Sequence, residues 1–179
     1  VSNEELSKAI ADKKYVASCE ESDIADCDVV IIAVPTPLDD ERNPDLSFVI
    51  SASEIVGRSL IKSALIVNES TSYPGTLRDI IAETVANNSK NGCKHLFAVS
   101  PERVDPGNKN WKISNTPRLI AGLTPEATER TKELYSKICI NIIEVSSPEV
   151  AESAKLFENT FRQVNIALVN EFAMIMNAM

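Results

Sequence analysis

Residues 28–34 of the chain are Asp-Val-Val-Ile-Ile-Ala-Val, in which six apolar side chains follow the aspartate without interruption. Successive side chains of a β-strand point to opposite faces of its sheet, so this strand is apolar on both faces. That pattern is typical of a central parallel strand covered by helices on each side. The stretch ends in Pro35-Thr36-Pro37, an abrupt and stiff loop.

Two further apolar runs, Ala64–Val67 and Leu96–Val99, predict strands of the same kind. A helix is predicted between the first two strands, from about 46 to 60 with Asp45 as its cap. A second helix is predicted to continue from Pro74, which suits a first helical turn. Strand, loop and helix thus repeat with short connections, and this order predicts an α/β fold with a doubly wound, parallel, Rossmann-like sheet.

Other segments of the chain predict the rest of the fold. The additional elements are a helix with a capping box from Ser2 to Glu5, a weak strand at 15–18, strands at 118–122 and 141–145, and a helix capped by Thr124.

A long helix is predicted from Ser147 to Met179. Apolar residues keep helical spacing throughout, at positions 150, 154, 157, 161, 164, 168, 172, 175 and 179. At about 1.5 Å per residue this is a rod of roughly 45 Å, too long for the sheet alone to cover. Its apolar end at 172–176 predicts either a homodimer through this helix or a chain cut mid-structure. We therefore divide the chain into residues 1–146 and 147–179.

Composition excludes several classes of protein. The chain has 179 residues, a net charge of -8 and a pI of about 4.8, which argues against generic binding of nucleic acid or anionic membranes. Four cysteines without a CxxC pair and a single histidine give no obvious metal site and suggest free thiols in a reducing compartment. No run of transmembrane length and no signal-peptide pattern is present, so we expect a cytoplasmic protein without a membrane partner.

Polar residues follow three of the predicted strands, at 34–37, 69–71 and 100–102. In a parallel sheet these strand ends lie side by side, and their hydroxyls and backbone amides suit a dinucleotide. The helix behind Pro74 is expected to aim its N-terminal amides at the same cleft.

Two groups of side chains could carry chemistry. Glu102, Arg103, Val104 and Asp105 lie in a turn bracketed by two prolines and a glycine, which is either a ligand site or a polar surface turn. Lys155, Asn159 and Arg162 fall at i, i+4 and i+7 on the long helix. A cation and an amide on one stripe could stabilise an oxyanion, and the alternative is a solvated helix face.

Several motifs resemble the nucleotide-sugar 6-dehydrogenases, that is, the UDP-glucose, UDP-N-acetylhexosamine and GDP-mannose dehydrogenases. The matching stretches are Thr71 with Pro74-Gly75-Thr76, SPERVDPGN at 100–108, NTPRLI at 115–120, and KLFENTFRQVNIALVNE at 155–171. The resemblance covers nearly the whole chain. Residues 101–107 and 158–171 resemble the UDP-N-acetylglucosamine and UDP-N-acetylmannosamine branch more than the UDP-glucose branch.

The resemblance implies oxidation of a sugar C6 alcohol to a carboxylate by two hydride transfers to NAD, for synthesis of polysaccharide precursors. It implies that Glu102 activates or positions a water held by Thr71, and that Lys155 and Asn159 stabilise oxyanionic intermediates. Other implied roles fall into two sets. The cofactor contacts are Val34, Pro35, Thr36, Pro37, Ser70 and Thr71, and the substrate contacts are Glu102, Arg103, Val104, Asp105, Lys155, Asn159 and Arg162.

The chain also departs from this family. The family's GxGxxG turn is absent, and none of the four cysteines has the glycine-rich setting of the family's nucleophilic cysteine. We therefore expect an internal segment that is inactive by itself, because without the thiol the second oxidation should stall. The alternatives are a UDP-glucose or GDP-mannose enzyme, a non-catalytic nucleotide-binding or dimerisation module, and a hydroxy-acid dehydrogenase, which does not predict the sequence at 155–171.

Overall fold

The computed structural model of the chain describes residues 2–89, 92–103 and 110–179. One five-stranded sheet has the order β1-β2-β3-β4-β5. Its strands are β1 (Val29–Ile32), β2 (Leu65–Asn68), β3 (Leu96–Val99), β4 (Arg118–Gly122) and β5 (Ile142–Glu144). The sheet is mostly parallel, and the predicted α/β class with a long final helix is confirmed.

Ser2 and Thr124 cap their helices as predicted, whereas the helix expected to be capped by Asp45 has Leu46 at its N-cap. Ser2 accepts a hydrogen bond from the backbone N–H of Glu5, Thr124 caps the fourth helix, and an Asp45 oxygen accepts from the N–H of Ser47 at 2.9 Å. The helices are α1 (Asn3–Ala11), α2 (Ser47–Ser59), α3 (a π-helical turn, Thr76–Ala82, continued by an α-helix, Glu83–Asn88), α4 (Pro125–Tyr135) and α5 (Pro148–Ala178). The structure assigns no strand at 15–18, where a weak strand was expected, and these residues are exposed and pair with no strand among the described residues.

The expectation of a wholly parallel sheet is wrong at one pair of strands, because β4 runs antiparallel to β3. A parallel connection needs a crossover segment, usually a helix, that returns the chain to the other end of the sheet. The described residues between β3 and β4 contain no helix. The reversal brings the first residue of β4, Arg118, to the carboxyl end of β3, where Ser100 lies.

Both faces of the sheet are covered, as the apolar strands predicted. Ile66 and Val99 pack with α2 and α3 on one face, whereas Leu65 and Val67 pack with Tyr135 of α4 on the other. Within the described ranges β2 is the only strand that pairs with β1, so β1 lies at one edge of the described sheet. Ile31 of β1 is accordingly 44% exposed.

Helix α5 starts on the sheet and then leaves it. Its first turns contact β3, β4 and α3, and its buried residues are Pro148, Ala151 and Glu152. Every residue from Asn159 to Met179 is exposed. Across the residues that the structure covers, no helix combines the length and the apolar character needed to cross a membrane.

Candidate functional site

The loops that follow β1, β2 and β3 meet at one edge of the sheet, as predicted from the sequence. The three strands are parallel neighbours, so their carboxyl ends are adjacent. The Ser70 hydroxyl accepts a hydrogen bond from the N–H of Val34 at 2.9 Å, and the N–H of Glu102 donates to the Glu69 carbonyl at 3.4 Å. Hydrogen bonds therefore hold the three loops against one another.

A cleft of about 340 Å³ is lined by the segments that follow β1 and β2 and by α5. Thr36 and Thr71, two of the residues predicted to contact a cofactor, line one side of this cleft. Asn159 of α5 lines it as well. Apolar side chains, among them Leu46 and Leu156, complete the walls. The cleft has the mixture of apolar walls and a few hydroxyl groups that is usual for nucleotide sites.

The remaining predicted cofactor contacts differ in exposure. Pro35 and Pro37 are exposed on the loop, and Val34 is half-buried. Ser70 is buried, and its hydroxyl is engaged with the backbone of Val34. In this position Ser70 shapes the 34–37 loop through its hydrogen bond to Val34.

Glu102, which follows β3, and Lys155 of α5 are in contact. The Lys155 ammonium donates a hydrogen bond to the backbone carbonyl of Glu102. The Glu102 carboxylate accepts from the N–H of Arg103 at 2.6 Å and remains 42% exposed. Burial lowers the pKa of Lys155 below its usual value, although Glu158 and Glu102 oppose this effect. The pair thus places a carboxylate and a partly desolvated amine at one edge of the sheet.

Arg103 fastens α5 to the sheet. Its guanidinium binds the Glu158 carboxylate through two nitrogens and donates to the Pro117 carbonyl at 3.0 Å. Bidentate pairs of this kind fix geometry as well as charge. Val104 and Asp105, also predicted to contact substrate, lie outside the described residues.

The predicted stripe on α5 is divided between two depressions of the surface. Asn159 lies in the cleft with Thr71, whereas Arg162 lines a separate groove of about 510 Å³ with Arg103 and Trp111. The two side chains are three residues apart and point about 60° apart around the helix axis, so they can line separate depressions along one side of α5. Arg162 is therefore not brought to the same surface as Asn159.

A buried network around Arg118 was missed by the sequence analysis. Arg118 donates to the Ser100 hydroxyl at 2.6 Å, forms an ion pair with Glu69, and reaches the Glu102 carboxylate at 3.5 Å. Its guanidinium lies 4.1 Å from the ring centre of Tyr135, whose hydroxyl donates to Glu69. Burial raises the pKa of Tyr135 far above its usual value. The available signal was an arginine, Arg118, at the start of the apolar strand β4. Because we expected β4 to be parallel to β3, we did not place Arg118 near Ser100 and Glu102.

A second missed residue is Glu152 of α5, whose side chain is 1% exposed. Its carboxylate accepts hydrogen bonds from the N–H groups of Gly75 at 2.7 Å and Leu77 at 3.0 Å, and from the Ser72 hydroxyl at 3.3 Å. These amides belong to the start of α3, which we expected to aim at the cleft. Both amides instead donate to the buried Glu152 carboxylate. Burial raises the pKa of Glu152, and the three hydrogen bonds oppose the shift.

The sequence of the chain matches two domains of one known protein family. The NAD binding domain of the UDP-glucose/GDP-mannose dehydrogenase family matches residues 2–139, and the central domain of the same family matches residues 149–179. The chain belongs to this family. The site described above therefore lies in an NAD binding domain and at the start of a family-specific central domain.

Individual relatives are similar over most of the chain. It is 41% identical over 160 residues to UDP-N-acetyl-D-glucosamine 6-dehydrogenase of Pseudomonas aeruginosa, covering 88% of the chain and 38% of the relative. Identity to the Salmonella typhi enzyme of the same name is 39%, covering 92% of the chain and 39% of the relative. The structure of a UDP-D-ManNAc dehydrogenase from Pyrococcus horikoshii superposes with a TM-score of 0.86 at 34% identity, covering 97% and 41% of the two chains. The chain thus spans about two fifths of the length of these relatives.

Proposed function

We propose that this chain forms the NAD-binding side and the Glu102–Lys155 part of the active site in an NAD-dependent UDP-N-acetylhexosamine 6-dehydrogenase. The observation that carries the proposal is the contact of the Lys155 ammonium with the Glu102 carbonyl, one helical turn before Asn159, which lines the cleft together with Thr71. The proposal combines this geometry with the family to which the chain belongs.

The cleft suits the nicotinamide cofactor. Thr36 and Thr71 present hydroxyl groups into a volume of about 340 Å³ whose other walls include apolar side chains. Bound NAD supplies a hydride acceptor for the oxidation of an alcohol. The 34–37 loop and Thr71 bind and orient this cofactor at the carboxyl edge of the sheet, where open α/β folds hold their ligands.

Lys155 and Asn159 act on the reacting end of the sugar. An ammonium and an amide that are fixed in advance stabilise negative charge that develops on the sugar oxygen, and the partial burial of Lys155 strengthens this interaction. Glu102 has an exposed carboxylate face with which it holds or activates a water, and Thr71 helps to position that water. Arg103, Val104, Asp105 and Arg162 are proposed to lie along the substrate.

The proposed substrate is a UDP-N-acetylhexosamine. Support comes from relatives named for UDP-N-acetyl-D-glucosamine and UDP-N-acetyl-D-mannosamine, at 41% and 39% identity. UDP-glucose and GDP-mannose remain the alternatives within the family. The two matched domains support a division at residues 146 and 147, between the NAD domain and the beginning of the central domain.

A second copy of the chain is the proposed partner of α5. Phe161, Val164, Leu168 and Phe172 are each at least 60% exposed on the helix. Apolar patches of this size mark interaction surfaces, and a homodimer through α5 covers them. We also propose that the enzyme works in the cytoplasm on precursors of a polysaccharide.

Measurement of NADH formation over a panel of nucleotide sugars tests the proposed function. Protein expressed from the complete reading frame that encodes this sequence is compared with the 179-residue chain. UDP-N-acetylglucosamine, UDP-N-acetylmannosamine, UDP-glucose and GDP-mannose form the panel, and Glu102→Gln is the site-directed control. We expect turnover with one of the first two sugars and loss of turnover in the variant. Failure of the complete enzyme with all four sugars contradicts the proposal.

A further inference from the structure

A series of connected, mostly buried hydrogen bonds runs from the loop after β1 to α5. It starts at the N–H of Val34, which donates to Ser70, and continues through Asn68, whose side-chain oxygen accepts from the Ser70 N–H at 3.1 Å. The Asn68 amide group donates to the Ser72 hydroxyl at 3.3 Å, and Ser72 donates to Glu152 at 3.3 Å. The series therefore joins the β1 loop, the β2 loop and α5.

Thr71 lies between two residues of this series, Ser70 and Ser72, but its side chain takes part in none of these hydrogen bonds. Its neighbours Ser70 and Ser72 are both 6% exposed, whereas Thr71 itself is half-buried and lines the cleft. Buried hydrogen bonds on both sides leave the backbone of residue 71 little freedom. The backbone that carries the Thr71 side chain is thus held by the hydrogen bonds of its two neighbours.

The other end of the series fixes α5. Glu152 precedes Lys155 by three residues and Asn159 by seven, and these spacings keep all three side chains near one side of a helix. Rotation or translation of α5 at Glu152 consequently moves both of the proposed sugar-contacting residues. Beyond Glu158 the described helix has no buried residue that could correct such a shift.

We propose that Glu152 is a positioning residue for the proposed dehydrogenase reaction: it locks the β2 loop to α5 and thereby holds Thr71 and Asn159 on facing walls of the cleft. The inference rests on the proposed function for its catalytic consequence. The lock itself depends only on the hydrogen bonds of Glu152 to Ser72, Gly75 and Leu77.

Glu152→Gln is the informative substitution because it keeps the size of the side chain. Each carboxylate oxygen of Glu152 accepts from a backbone N–H, one from Gly75 and the other from Leu77. An amide in either orientation turns a donor toward one of these N–H groups, and an unpaired buried donor results. Glu152→Asp keeps both acceptor oxygens but is one methylene shorter, so it should retain the hydrogen bonds to Gly75 and Leu77 only in part.

Glu149→Gln is the matched control. Glu149 also joins α5 to α3, through an ion pair with Arg78 at 3.0 Å. That pair is near the surface, with side chains 33% and 51% exposed, and it touches neither Ser72 nor the amides at the start of α3. Its loss should weaken the same junction without moving the cleft.

Two measurements test the inference. Amide hydrogen exchange on the 179-residue chain should show exchange at Gly75 and Leu77 accelerated by about tenfold or more in Glu152→Gln and by less than about twofold in Glu149→Gln. In the complete enzyme, kcat of Glu152→Gln should fall by about 10- to 100-fold per folded molecule, while KM for NAD and sugar changes by less than about threefold.

The outcomes separate the lock from the proposed function. Unchanged exchange at both amides overturns the lock. Accelerated exchange with kcat within about twofold of the unmodified enzyme overturns the positioning role, as does a loss explained wholly by a smaller folded fraction. Inactivity of the unmodified complete enzyme overturns the proposed function, and the exchange rates still decide whether Glu152 locks the loop.

Discussion

The two parts of α5 differ in a way that inverts the usual relation between polarity and burial. In the part that contacts the sheet, Pro148–Glu158, charged residues are held by the fold, and Glu152 is almost completely buried. In the part that extends away, Asn159–Met179, the apolar residues are exposed, including Phe161 at 63% and Phe172 at 60%. The reason is the surface that each part meets.

The first part of α5 meets the ends of strands, where amides, hydroxyls and carbonyls need hydrogen-bond partners. Glu152, Lys155 and Glu158 supply these partners, so polar residues suit this location better than leucine would. The second part is exposed along its whole length, although its first turns line the cleft and the groove beside Arg103, and it carries an apolar stripe suited to another protein surface. The comparison supports the proposals that Lys155 of the first part and the adjoining Asn159 act on the substrate, and that a dimer forms through the rest of the helix.

Lys155→Met should have the largest effect, because it removes the cation from the catalytic part of α5. Loss of one preorganised group that stabilises an oxyanion typically lowers kcat by about 10²- to 10³-fold. Steady-state NADH formation by the complete enzyme measures the effect. Lys132→Met is the control, since Lys132 forms an exposed ion pair with Glu144 on α4 and β5. A reduction in kcat of less than about tenfold for Lys155→Met contradicts a role for Lys155 in charge stabilisation.

Arg118→Met should cause the next largest effect, on stability. The side chains of Arg118 and Glu69 are 8% and 17% exposed, so the substitution leaves a carboxylate mostly buried without its cation. Breaking a buried pair in this way costs about 3–5 kcal/mol of the free energy of unfolding. Urea denaturation provides the measurement. Arg58→Met removes a surface pair with Glu21 and should cost less than about 1 kcal/mol, and equal losses in the two variants would show that Arg118 is no more important than a surface arginine.

A smaller, pH-dependent effect is expected at Glu152. Because burial raises the pKa of Glu152 in the folded state, the folded chain binds this proton more tightly than the unfolded chain. The contribution to stability is complete below the ordinary pKa of a glutamate and is lost as pH rises through the raised folded-state pKa. Urea titrations of the unmodified chain and Glu152→Gln should therefore show a stability difference that is largest in acid and shrinks across this window. A difference that grows with pH contradicts the assignment.

Phe172→Ser should have the smallest effect on the folded chain. Phe172 lies in the exposed part of α5, so its replacement should change the free energy of unfolding of the dilute monomer by less than about 0.5 kcal/mol. Sedimentation velocity at higher concentration, by contrast, should show loss of the proposed dimer. Destabilisation of the monomer by more than about 2 kcal/mol would mean that this part of α5 packs against its own chain.

The parts of the fold that follow from local pattern were predictable from the sequence. Apolar runs identified β1, β2 and β3, and their parallel pairing correctly brought Val34, Ser70 and Ser100 to one edge. The caps at Ser2 and Thr124 were equally readable, because a cap depends on residues within one turn.

The parts that depend on long-range pairing were not predictable in this way. The direction of β4 is decided by the connection from β3, so the arrival of Arg118 beside Glu69 and Glu102 had no local signal. The location of Glu152 was hidden for a related reason. Helical periodicity identifies the apolar residues of α5, but it does not reveal that the side in contact with the sheet combines Ala151 with the carboxylate of Glu152.

The stoichiometry of NADH formation tests the central claim most directly. The complete enzyme is given excess NAD and a limiting amount of UDP-N-acetylglucosamine or UDP-N-acetylmannosamine, and NADH and the sugar product are both quantified. The account predicts two NADH for each molecule of one of these sugars consumed, with the uronic acid as product. A yield of one NADH with an aldehyde as final product, or no NADH from either sugar, contradicts the claim that this sheet edge and the first part of α5 belong to a UDP-N-acetylhexosamine 6-dehydrogenase.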